Sequence, residues 1–223
     1  MTIKAIIFDL DGTLIDSMGL WRMVDEEFLT SRGIAVPEDL FDHLPQGNSF
    51  IQTASYFKER FGLNESTEEI MQTWTNMVAE HYASSVPLKN GAQDILERIS
   101  RAGLKLGLAT SNSYELAEKS LRNNMVWHMF EHISSGDMHL MGKPFPDLFL
   151  HCARGLNVEP GDCLAIEDTL SGVQAAKAAG MRALAIYDGD SVRQHEQIKA
   201  AADAFCMDYS EILREIQRYK KDL

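Results

Sequence analysis

What most constrains this chain is a recurring pair of signals, a short and almost wholly apolar run followed by a stretch with helical periodicity. The runs are "IKAIIF" (3–8), "LKLGLAT" (104–110), "DCLAIED" (162–168) and "MRALAIY" (181–187), with a weaker one at "FEHISS" (130–135). Such runs are typical of parallel strands covered on both faces. Between them lie helical patterns at "AQDILERISRAG" (92–103), "SYELAEKSLRNN" (113–124), "PDLFLHCARGL" (146–156) and "LSGVQAAKAAG" (170–180). Gly103 and Gly180 stand where helices end. Alternating strands and helices predict parallel βαβ units with right-handed crossovers. The expected fold is α/β, a doubly wound, Rossmann-like parallel sheet.

One segment breaks the rhythm. From about Met18 to Ser85 there is no convincing strand, only helical stretches at 20–33, 50–62 and 66–84. The last opens on Ser66 and Glu69, three apart, a capping-box pattern. The chain returns to the sheet at "VPLKNGA" (86–92), punctuated by Pro87 and Gly91. The reading is a core formed by residues 1–16 and 86–223, with an inserted α-helical domain over 17–85.

Bulk properties exclude several partners. A length of 223 residues allows one large domain or a main domain with a smaller one. The net charge of −12 opposes nonspecific binding to nucleic acid or to anionic membrane surfaces. It leaves room for a small phosphorylated substrate, because a local metal or lysine outweighs the global field. Cys152, Cys163 and Cys206 form no C-x-x-C pair and are expected to be buried free thiols. No apolar stretch approaches the roughly 20 residues that span a bilayer, and the N-terminus does not read as a signal peptide. A cytoplasmic monomer is expected.

The polar residues gather where open parallel sheets bind ligands, beyond the carboxyl ends of the strands. The first strand ends in Asp9 and Asp11, the second in Thr110, Ser111 and Asn112. Lys143 follows the weak third strand, and Glu167 and Asp168 end the fourth. Each piece alone has a plain reading. Asp-x-Asp-Gly also makes surface turns, Thr-Ser-Asn caps helices, a lysine is commonly solvated, and an acid pair suits a helix's first turn. Their shared edge is what lifts them. Four acids do not converge without compensation, and all-oxygen ligands favour Mg²⁺. An aspartate could then attack phosphorus to form an aspartyl-phosphate while a second acid moves protons. A hydroxyl and an ammonium would hold the remaining oxygens, helped by backbone N–H groups at helix N-termini.

The segments "FDLDGTLID", "LATSN", "GKPFPD" and "AIEDTLSGVQAAKAAGM" resemble the four signature motifs of the haloacid dehalogenase-like phosphohydrolases. They resemble in particular the branch with a helical cap after the first motif, which includes β-phosphoglucomutase-like proteins and sugar-phosphate phosphatases. The resemblance implies that Asp9 is the nucleophile and a Mg²⁺ ligand. Asp11 would be the general acid/base, with its backbone carbonyl on the metal. Thr110 and Lys143 would bind the phosphoryl group, and Asp168 the metal, with Glu167 beside it as a direct or water-mediated ligand. Ser111 and Asn112 would line the phosphate or substrate edge, and Gly12 would let the chain turn toward the cap beside the substrate. Dehalogenase members need neither the metal nor the second aspartate, so the acids here argue for phosphate chemistry.

Phosphatase and mutase differ at the cap. The β-phosphoglucomutases carry a histidine about twelve residues after the nucleophile and a Gly-x-Ser-Arg-like cap loop. Here those positions are Trp21 and "QGNSF" (46–50), without the histidine or the arginine. A second phosphate would lack a charged partner there unless Lys58 or Arg60 substitutes. Trp21 packs on a sugar face or is core, and Gln46 and Asn48 are candidate hydroxyl contacts. The expected function is a Mg²⁺-dependent phosphatase acting on a small phosphorylated metabolite, a sugar phosphate for preference. The alternative is a β-phosphoglucomutase-type mutase.

Overall fold

The computed structural model describes residues 3–40 and 50–220. Six parallel strands form one sheet: β1 (Ala5–Phe8), β2 (Lys105–Ala109), β3 (His132–Ser134), β4 (Cys163–Glu167), β5 (Arg182–Ile186) and β6 (Ala204–Cys206). Their order across the sheet is β3-β2-β1-β4-β5-β6. The central strand β1 pairs with β2 and β4 in matched register, Phe8 opposite both Leu108 and Ile166. The chain winds outward in both directions from β1, so the crevice beyond its carboxyl end is the topological switch point.

The apolar runs split by alternate residues. Ile6, Phe8, Leu164, Ile166, Leu184 and Ile186 face one layer, while Ala5, Ile7, Ala165, Ala183 and Ala185 face the other. The first layer holds α4 (Ala92–Arg101), α5 (Tyr114–Asn123) and α9 (Tyr209–Gln217); the second holds α6 (Asp147–Gly155), α7 (Leu170–Ala178) and α8 (His195–Ala201). Burial on both faces is what the near-continuous apolar runs encode.

Among the described residues, three helices stand between β1 and α4: α1 (Met18–Thr30), α2 (Phe50–Phe61) and α3 (Thr67–Ser84). Phe28, Phe57 and Trp74 pack on one another among them, with ring centroids 5.0–6.1 Å apart. The capping box of α3 forms as expected: Ser66 Oγ accepts from the Glu69 amide at 3.2 Å and Glu69 Oε2 from the Ser66 amide at 2.8 Å. The first helix differs from its expected span of 20–33, starting at Met18 and ending at Thr30, with a tight turn through Gly33.

The sequence pattern predicts no element beyond residue 187, yet α8, β6 and α9 complete the fold there. A three-residue edge strand is too short to show alternation, and α8 spans seven residues. The three cysteines are free and buried. No described helix is long and apolar enough to cross a membrane.

Candidate active site

β1 ends at Phe8, and the Asp9 amide still donates to the Ile166 carbonyl at 2.9 Å. This last ladder bond fixes Asp9 beside Glu167, the final residue of β4. Lys143, on the segment entering α6, reaches both carboxylates. Its Nζ lies 2.5 Å from Asp9 Oδ1 and 2.5 Å from Glu167 Oε1, the second contact an ion pair without hydrogen-bond angles. Lys143 is 2% exposed and Glu167 0%. An ammonium this deep persists only because its partners are equally dry and close.

The start of α7 holds Glu167 from the other side. Glu167 Oε2 accepts from the Asp168 amide (3.2 Å), the Thr169 amide (3.3 Å) and Thr169 Oγ1 (3.1 Å). Thr169 is also the N-cap of α7, accepting from the Gly172 amide at 3.1 Å. Gly172 leaves the room: a Cβ there would overlap the Glu167 carboxylate. Asp168 Oδ1 accepts from Thr13 Oγ1 at 2.9 Å. Gly12, at φ +76°, passes so close that a Cβ would sit 2.5 Å from Asp168 Oδ2.

Asp9, Glu167 and Asp168 thus present one oxygen each within 4.8 Å of one another. Of the three carboxylates, Lys143 pairs with two, Asp9 and Glu167. Burial above all lifts the Asp9 carboxyl to about 7, against the pull of Lys143 and with a push from Glu167. Burial, then the charges of Glu167 and Asp9, lifts Asp168 well above the carboxylate range. Burial opposes the Lys143 charge, but Asp9 and Glu167 outweigh it and hold the ammonium above its ordinary value. The cluster carries more negative charge than Lys143 cancels, and its donors are all oxygen. These residues fit a hard divalent cation, which would reverse the upward pressure on both aspartates.

Asp11 sits apart from that cluster. Its Oδ1 accepts from Ser17 Oγ (2.6 Å), Trp21 Nε1 (3.3 Å) and the Tyr82 hydroxyl, and its Oδ2 from Asn112 Nδ2 (3.1 Å). Thr110, buried after β2, accepts from the Asn112 amide at 3.0 Å. Ser111 Oγ is buried with no hydrogen-bond partner among the described residues. Gly12 spends its backbone within the protein, its amide on the Ile15 carbonyl and its carbonyl on Lys89 Nζ. Gln46 and Asn48 lie outside the described residues.

Several residues at the site were not singled out from the sequence. Thr13 holds Asp168; Lys89 ties Gly12 O (2.6 Å) to Asp188 Oδ2 (2.8 Å); Tyr82 touches Asp11. Thr13 lies inside the first motif and Lys89 between α3 and α4, positions that carry a signal once the site is known. Tyr82 reads only as a buried position of α3.

The family described as haloacid dehalogenase-like hydrolase matches residues 6–186. Hexitol phosphatase B of Escherichia coli K12 is 29% identical to the chain over 82% of it and 83% of the relative. The crystal structure of CbbY from Rhodobacter sphaeroides in complex with phosphate superposes with a TM-score of 0.85 at 27% identity, covering 95% of this chain and 96% of that one. A mutant of the same CbbY in complex with xylulose-(1,5)bisphosphate gives 0.81 at 28% identity, over 92% and 93% of the two chains.

Proposed function

The chain belongs to the haloacid dehalogenase-like hydrolase family, and from that premise we propose that it is a Mg²⁺-dependent phosphatase of a small sugar or sugar-alcohol phosphate, working through phospho-Asp9. The observation that carries the reading is the buried Lys143 between Asp9 and Glu167, with Asp168 completing the acidic cluster. The relatives named above, a hexitol phosphatase and a protein crystallised with a sugar bisphosphate, support the substrate class.

Asp9, Asp168, Glu167 and the Asp11 backbone carbonyl would hold Mg²⁺, whose charge lets an anionic nucleophile meet an anionic phosphate. An Asp9 oxygen attacks phosphorus, the P–O ester bond breaks, and the leaving oxygen takes a proton from Asp11. Water, deprotonated by Asp11, then attacks the aspartyl-phosphate, releasing phosphate and restoring Asp9. Thr110 and Lys143 hold the non-bridging oxygens, and Ser111 Oγ, a buried hydroxyl without a partner among the described residues, supplies a further donor. Residues 17–85 act as the cap over a core of 1–16 and 86–223, excluding bulk water during transfer.

Mutase chemistry needs a cation in the cap for the second phosphate. Lys58 Nζ is spent on the Glu65 carbonyl, and Arg60 on the Tyr56 hydroxyl and Asp39. Both tethers favour hydrolysis. A panel of phosphomonoesters assayed with and without EDTA tests the reading. Turnover that depends on Mg²⁺ and disappears in Asp9→Asn supports it; turnover surviving chelation or that substitution overturns it. With β-glucose 1-phosphate and a bisphosphate primer, inorganic phosphate is expected, and glucose 6-phosphate would establish the mutase.

A further inference from the structure

The catalytic proton of the proposed reaction belongs to a core residue, Asp11, yet three of the groups that hold it, Ser17, Trp21 and Tyr82, come from the cap. Tyr82 lies near the end of α3 and Trp21 in the first turn of α1. The Tyr82 hydroxyl receives from Trp21 Nε1 at 2.8 Å and from Asn112 Nδ2 at 3.2 Å. An indole N–H and an amide NH₂ only donate. Both therefore occupy the phenol's acceptor side and leave its single proton for Asp11, to which it is directed. The phenol is fully buried; burial first, and then the neighbouring Asp11 charge, keeps it protonated far above its ordinary range.

Trp21 also donates directly to Asp11 Oδ1 at 3.3 Å, and its ring packs edge-on against Phe50 and Tyr82 with centroids 5.6 and 6.2 Å away. Ser17, the N-cap of α1, makes no side-chain cap and puts its hydroxyl on Asp11 instead, at 2.6 Å. Local helix stability is forgone to reach this one carboxylate. The Asp11 carboxylate thus has donors on both oxygens, from three elements that converge only when the cap helices sit against the sheet edge.

We infer that Tyr82 and Trp21 are positioning residues for Asp11. They form a hydrogen-bond clamp carried by the cap, which orients the carboxylate for proton transfer and couples cap position to that step. The inference rests on the role proposed above for Asp11. Neither residue touches the phosphoryl group in this account; both act through Asp11. Trp21 is accordingly bound to the acid/base residue by its N–H, whatever its ring offers a substrate.

The leaving group distinguishes positioning from general support. Phenyl phosphate expels a phenol of pKa about 10 and needs a proton; p-nitrophenyl phosphate expels a far better leaving group and needs little. Steady-state kcat/KM reports the phosphoryl-transfer step for both substrates. Asp11→Asn is expected to slow phenyl phosphate by about a hundredfold or more and p-nitrophenyl phosphate much less. Tyr82→Phe is expected to reproduce that selective loss at about tenfold, the scale of one hydrogen bond to a charged group. Trp21→Phe should show a smaller loss of the same sign and serves if the tyrosine variant does not fold. In an Asp11→Asn background, Tyr82→Phe should add nothing.

An equal loss on both substrates from Tyr82→Phe and Trp21→Phe, with Asp11→Asn selective, would overturn the clamp and leave the reading of Asp11 standing. A full additional loss in the Asp11→Asn background would do the same. Asp11→Asn without leaving-group selectivity would overturn both.

Discussion

Lys143 is the side chain on which the charge balance of the pocket turns. It is the one cation within reach of Asp9 and Glu167 among the described residues, and all three are buried. Lys143→Met would leave two carboxylates uncompensated in a dry site, a change that typically costs about 3–5 kcal/mol. Urea unfolding in EDTA at pH 7.5 should show a loss on that scale. The loss should shrink at pH 5, where Asp9 takes up a proton. Asp25 offers a second case, away from the acidic cluster. It is buried in α1 with no hydrogen bond or cation partner among the described residues, and burial, then the Glu26 charge, lifts its carboxyl from 3.8 to about 7. The folded form binds the proton more tightly than the unfolded one. Asp25 therefore costs no stability below about pH 4, costs progressively more up to about pH 7, and stays costly above it. The full cost is on the order of 4 kcal/mol at about 1.4 kcal/mol per pH unit. Asp25→Asn should raise Tm clearly at pH 8 and little at pH 4.5; an equal gain at both would refute the burial account.

At the scale of the element, α7 does two things with one turn. It caps itself through Thr169 and holds Glu167 through the same hydroxyl and two amides. Gly172 is where the two demands meet. Alanine would gain about 1 kcal/mol in helix propensity, but its Cβ would displace the Glu167 carboxylate, an overpacking cost of about 1–3 kcal/mol or more. Overpacking wins: Gly172→Ala should lower stability and weaken Mg²⁺ activation together, as read by chemical denaturation and a metal titration of activity. The strands around this helix were legible because burial on both faces demands nearly unbroken apolar runs, and each core strand from β1 to β5 lies within its expected run. Ile6 and Phe8 pack with Leu164 and Ile166 as that pattern requires. β6 was not legible, because three edge residues hold too little pattern. Tyr82 was not legible as a site residue either. Helical phase says that it is buried, but its contact with Asp11 spans 71 positions of sequence and depends on how α3 meets the sheet.

Across the whole molecule, the site exists because the winding of the sheet brings distant segments to one edge. Asp9 and Lys143 are 134 residues apart, and Thr13 and Asp168 are 155 apart. Helices α1 and α3 bear on the same edge through Trp21 and Tyr82, and Arg22 of α1 pairs with Asp190 after β5. The acidic motifs were readable because a strand end, an acid and a following turn recur together. Their partners Trp21 and Tyr82 were not, since how α1 and α3 meet the sheet edge is a tertiary fact. A metal that completes the acidic cluster must also stabilise the fold. At a hundred times its dissociation constant, Mg²⁺ should add about 2.7 kcal/mol. Thermal melts with Mg²⁺ and with EDTA should show this shift in the wild type and lose it in Asp168→Asn. The covalent step is tested most directly by trapping. The enzyme is acid-quenched during turnover of a phosphomonoester substrate and reduced with borohydride, and its peptides are then sequenced by mass. Homoserine at position 9 alone is the expected result, absent without substrate and absent in Asp9→Asn. Full turnover with position 9 unmodified, or with the reduced residue at another acid, would contradict phosphoryl transfer through Asp9.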